Sequence, residues 1–96
     1  MDVDPAPAGT SPAEHLLVVP DLGLGDGQVL VSLWLVSEGA AVSEGDRIVE
    51  LVAGGATLDL EAPVSGWLVH QCVDEDAVVA PGDVLAAFRG AAGAAP

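Results

Sequence analysis

The chain has 96 residues, 15 Asp and Glu against two Arg, and a formal net charge of −13. That length suits one hydrophobic core and leaves little room for a second, and that charge argues against nucleic acid or an anionic membrane surface and in favour of a basic protein partner. No apolar stretch approaches the roughly 20 residues of a membrane span, and the Met1-Asp2-Val3-Asp4 start lacks the charged and apolar regions of a signal peptide, so a cytoplasmic protein is expected.

Residues 1–14 carry Pro5, Pro7 and Pro12 among small residues. Too little apolar bulk is present to offset the entropy of ordering them, and a disordered lead is predicted. Residues 15–19 read as a short strand stopped by Pro20, followed by a loop with glycines at 23, 25 and 27. That loop has neither the Gly-x-Gly-x-x-Gly spacing nor the following helix of a phosphate site. Residues 28–36 form a nearly continuous apolar run containing Trp34, which predicts a strand largely buried on both faces or one end of a flattened barrel. Turns at 37–39 and 43–46 flank a stub at Ala41-Val42 and lead into a strand over residues 48–53.

Gly54-Gly55 then joins two alternating runs. Adjacent glycines both accept φ > 0, as a two-residue type I′ hairpin loop demands. The expected register sets Ala53 against Ala56, Val52 against Thr57, Leu51 against Leu58, Glu50 against Asp59 and Val49 against Leu60. Period-2 alternation puts Val49, Leu51, Leu58 and Leu60 on a core face, with Glu50, Thr57, Asp59 and Glu61 facing water. The turn Ala62-Pro63-Val64-Ser65-Gly66 follows, then a strand over 67–73, a stub at Val78-Val79, the turn Ala80-Pro81-Gly82-Asp83 and a last strand over 84–88. No stretch holds a clean 3.6-residue stripe, so the predicted class is all-β.

The run from Ala56 through Ala62-Pro63-Val64-Ser65-Gly66 resembles the attachment hairpin of the biotinyl/lipoyl domains, as Val18-Val19-Pro20-Asp21-Leu22-Gly23 resembles their opening strand and turn. The resemblance covers roughly residues 16–88. It implies a flattened β-barrel or sandwich of two antiparallel sheets, with an Asp-Lys pair at the hairpin tip whose lysine receives the cofactor. Those two positions fall on Gly54 and Gly55, a vestigial attachment turn, and the 96 residues contain no lysine. The guanidinium groups of Arg47 and Arg89 stay protonated and do not replace an acylatable amine. The resemblance therefore implies the fold and withholds the usual activity: no enzyme, no bound cofactor, and a non-catalytic interaction or structural domain of a 2-oxo acid dehydrogenase or dihydrolipoyl acyltransferase-like assembly. The rival is a swinging-arm acyl carrier whose lysine was lost or removed. The family's use of acidic residues beside this turn for docking makes Glu50, Asp59 and Glu61 the candidate partner-recognition residues; the plainer alternative is a solvated acidic face. Residues 90–96 resemble the start of the Ala/Pro linker that follows a lipoyl domain in dihydrolipoyl acyltransferases, leaving 15–89 as the domain.

An internal repeat supports the same architecture from the residues alone. Shifted by 37 positions, residues 36–48 overlay 73–85, matching Glu38 with Glu75, Ala40 with Ala77, Val42 with Val79, Gly45 with Gly82 and Asp46 with Asp83. Two copies of one strand-turn-stub-turn-strand unit predict a pseudo-twofold pair of sheets packed face to face, with the chain ends near the point equivalent to the glycine hairpin. Among the remaining candidates, Cys72 lies in an apolar run and is expected to be a buried free thiol. His70 and Cys72, two apart on a strand, supply at most two metal ligands, and His15 lies far off in sequence, so no metal is expected. Trp34 and Trp67 are expected to pack in the core or at a sheet edge. Nothing in the sequence sets a nucleophile beside a base.

Overall fold

The computed structural model describes residues 14–25 and 27–91. Eight strands follow one another: β1 (Glu14–Val18), β2 (Val29–Trp34), β3 (Ala41–Val42), β4 (Arg47–Ala53), β5 (Ala56–Glu61), β6 (Gly66–Gln71), β7 (Val78–Val79) and β8 (Val84–Gly90). They form two antiparallel four-stranded sheets, ordered β1-β8-β6-β3 and β5-β4-β2-β7. Most of the predicted lead lies outside the described residues, but its last residue, Glu14, already belongs to β1 and pairs with Arg89. At the other end β8 runs on through Gly90, and Ala91 donates its N–H to the Ser65 carbonyl. The described chain thus enters and leaves side by side, as the repeat predicts.

Adding 37 to each number carries β2 onto β6, β3 onto β7 and β4 onto β8. The symmetry reaches the core. Among the described residues, the eight hydrophobic side chains with no accessible surface form four equivalent pairs: Val31 with Leu68, Ile48 with Leu85, Val49 with Ala86, and Leu51 with Phe88. It reaches the polar contacts too. The Trp34 backbone N–H donates to Glu75 Oε2 at 2.9 Å, and the Gln71 N–H donates to Glu38 Oε2 at 2.7 Å. Trp34 Nε1 donates to the Val73 carbonyl at 3.1 Å, and Gln71 Nε2 to the Val36 carbonyl at 2.8 Å. Asp46 and Asp83 close their turns alike, accepting the N–H of Ser43 and of Ala80 at 2.8 and 2.9 Å. At one turn the left-handed backbone is kept although a side chain stands in place of glycine. Asp76 has φ 72° where its equivalent Gly39 has φ 88°, a left-handed conformation that Asp tolerates better than most side chains.

Bulges reverse several sequence expectations. The β2–β4 register shifts between Val31 and Leu33, and the β6–β8 register shifts between Leu68 and His70. An extra residue in a strand exchanges the inward and outward sets beyond it. Leu33 and Leu35 therefore face outward, 45 % and 42 % exposed, and β2 is not buried on both faces. Cys72 is a free, exposed thiol for the same reason: unbroken alternation from buried Leu68 would have turned it inward. Trp34 packs against the core, whereas Trp67 stands exposed on the outer side of its sheet. The hairpin's inner face is closed at Val49 and Leu51, while Leu58, opposite Leu51 on the edge strand β5, is left exposed.

Candidate functional site

The hairpin forms with the expected register throughout: Ala53 opposite Ala56, Val52 opposite Thr57, Leu51 opposite Leu58, Glu50 opposite Asp59, Val49 opposite Leu60. Gly54 and Gly55 have φ 58° and 81°, both left-handed, as a type I′ loop needs. A Cβ built on Gly54 would meet Leu24 Cδ2 at 3.6 Å, an ordinary contact, so the loop after β1 lies against the tip. A Cβ on Gly55 would meet nothing within 4 Å.

The outer surface of β4 and β5 carries the acidic residues. Glu50 and Asp59 are direct cross-strand partners and both half-buried, while Glu61 is exposed and opposite Arg47. Like charges in this arrangement repel one another, and the sequence reading missed the group that answers them. Arg47 Nη1 donates to Asp59 Oδ2 at 3.4 Å, a long contact from a side chain that is 71 % exposed. The only sequence signal was one arginine at the base of an acidic hairpin; its choice of Asp59 depends on the register shift between Arg47 and Val49. Beside this pair lies an open groove lined by Leu35, Val36, Asp46, Arg47, Glu50 and Asp59. His70 and Cys72 come to the outer face of the opposite sheet, and no three His, Cys, Asp or Glu side chains cluster as a metal site among the described residues. No described helix is long and apolar enough to cross a membrane.

An attached biotinyl or lipoyl group, which the resemblance implies, requires a primary amine at the tip. The residues present do not fit one. Gly54 and Gly55 bear no side chain, and the one group that a Cβ built on either would meet within 4 Å is the aliphatic Leu24. Arg47 lies six residues down β4 from Ala53, a distance of about 20 Å along an extended strand. Arg89 belongs to the other sheet.

Comparison with known proteins agrees with this fold. The chain is 32 % identical over 72 residues to the dihydrolipoyllysine-residue acetyltransferase component of the acetoin cleaving system of Pseudomonas putida, an alignment covering 75 % of this chain and 20 % of that protein. The chain thus spans about a fifth of that relative's length. Among solved structures, a single-chain, multi-domain long-chain acyl-CoA carboxylase superposes with a TM-score of 0.70 at 26 % identity, over 88 % of this chain and 8 % of the carboxylase. The biotin/lipoyl family model, described as biotin-requiring enzyme, matches residues 15–88, and the chain belongs to that family.

Proposed function

We propose that this domain is a biotin/lipoyl-family module without an attachment lysine, serving as a non-catalytic interaction or structural domain of a 2-oxo acid dehydrogenase or dihydrolipoyl acyltransferase-like assembly in the cytoplasm. One observation carries the reading: the hairpin is complete in register and turn geometry, yet its tip is a bare Gly54-Gly55. What remains for the domain to do is to hold or bind. The relative's printed identity as an acetyltransferase component supports a place among protein partners. The molecule's charge of −13 favours a basic partner surface, met by Glu50, Asp59 and Glu61 on the outer side of the hairpin.

The test is intact mass. Co-expressed with lipoate and biotin ligases and supplied with both cofactors, the protein should keep its unmodified mass. An increase equal to a lipoyl or biotinyl group would restore the carrier reading.

A further inference from the structure

Resting on the reading above, we infer that the groove beside the hairpin takes a lysine side chain of the protein partner, and that Arg47 competes with it from within the molecule. The groove is lined by aliphatic Leu35 and Val36 together with Asp46, Arg47, Glu50 and Asp59, so apolar surface and acidic side chains meet in one place. A lysine suits that shape, because its four-carbon stem covers apolar surface while its compact ammonium carries the charge. Glu50 and Asp59 sit directly opposite one another on neighbouring strands, so one ammonium between them answers both. Among the described residues Asp59 has Arg47 as its cation, at 3.4 Å, and no cation is recorded within ion-pair distance of Glu50. The chain has no lysine of its own to fill the place.

The internal repeat supplies a control. At the equivalent positions of the other sheet, Cys72 and Val73 replace Leu35 and Val36, and Ala87 replaces Glu50. Leu16, which pairs with Ala87 as Asp59 pairs with Glu50, takes the place of Asp59. The same fold therefore builds this face without the carboxylate pair, and the acidity of the groove belongs to the residues and not to the architecture.

The experiment is an NMR titration of the uniformly 15N-labelled protein with the capped peptide acetyl-Leu-Lys-Leu-Lys-amide, at about 20 and about 200 mM salt, across which screening lengths shorten severalfold. Amide shifts should centre on Leu35, Arg47, Glu50 and Asp59, and a peptide with norleucine for lysine should not reproduce them. Glu50→Gln with Asp59→Asn should weaken binding about three- to tenfold, and Arg47→Gln should tighten it about twofold or more, as expected for one or two exposed ion pairs. Leu35→Ser should weaken binding while leaving its salt dependence unchanged. Circular dichroism checks that each variant is folded. Shifts as large at the acidic turn of residues 74–76 as at the groove, or Arg47→Gln binding no tighter than the parent, would overturn the inference. Intact mass does not sense this groove, so failure here leaves the bare-tip reading standing, and lipoylation would overturn that reading without touching the groove.

Discussion

Gly66 closes the Ala62-Pro63-Val64-Ser65-Gly66 turn at a place with no room for a methyl group. A Cβ there would run into the carbonyl oxygen of Arg89 and come within 2.9 Å of the Ala91 nitrogen. Backbone atoms cannot swing aside as a side chain can, so Gly66→Ala should cost about 3 kcal/mol or more. A urea midpoint close to that of the parent would contradict the close approach. The tip glycines differ, being constrained by conformation and not by space. With only open space beyond Gly55 and Leu24 at ordinary contact from Gly54, Gly54→Asp with Gly55→Lys should fold. The cost should be about 1–2 kcal/mol for each residue held at positive φ, and less for Asp. On the proposal that Gly54-Gly55 is a former attachment turn, a permissive lipoate ligase should modify the double variant, read by mass spectrometry. A folded variant that stays unmodified would mean that the flanking surface no longer suits a ligase.

At the scale of elements, the two sheets are tied by a reciprocal set of bonds near the pseudo-twofold axis. Each carboxylate of Glu38 and Glu75 receives a backbone N–H from the opposite repeat. Both contacts are solvent-exposed, so each is worth about 1 kcal/mol. Glu38→Ala and Glu75→Ala should therefore each lower stability by about that amount, shifting Tm by about 4–8 °C in a domain of this size. Asp74→Ala, a neighbouring carboxylate with no recorded side-chain bond, should stay within about 0.5 kcal/mol of the parent. Three equal Tm values would show that the carboxylates are ordinary surface charges. The bulges belong to this scale too. Each is short in sequence, yet one sends Leu33 and Leu35 outward beside the acidic hairpin, and its equivalent exposes Cys72.

For the whole molecule, charge decides the response to salt. Among the described residues one ion pair, Arg47 with Asp59, its arginine largely exposed, contributes about 0–1 kcal/mol, and set against it is the mutual repulsion of 15 acidic residues in a chain of net charge −13. The repulsion should win. Tm should therefore rise as salt is added from about 10 to about 500 mM, because screening relieves the repulsion of the compact state. A falling Tm would instead make the ion pair dominant. Packing shows balance of another kind. In one repeat Val31, Val49 and Leu51 occupy places where the other has Leu68, Ala86 and Phe88, all inaccessible. Larger side chains at two places are matched by a smaller one at the third, as a densely filled core requires.

The sequence alone determined the strands, the hairpin register, the twofold repeat and the absence of an acceptor amine at the tip. These rest on local chemistry: Gly54-Gly55 selects a two-residue turn, the turn fixes the register, and copied turns copy the strands between them. Tertiary structure decided which way the side chains beyond the bulges face. In the nearly continuous apolar run Val29 to Val36 either phase buries mostly apolar groups, so the sequence sets only a weak preference, and pairing with β4 chooses one. It also decided that Arg47 meets Asp59, that Glu38 and Glu75 bond across the axis, and that Gly66 lies against Arg89. Each of those joins residues at least 12 apart in the chain, and only the packing of strand on strand brings such groups within reach.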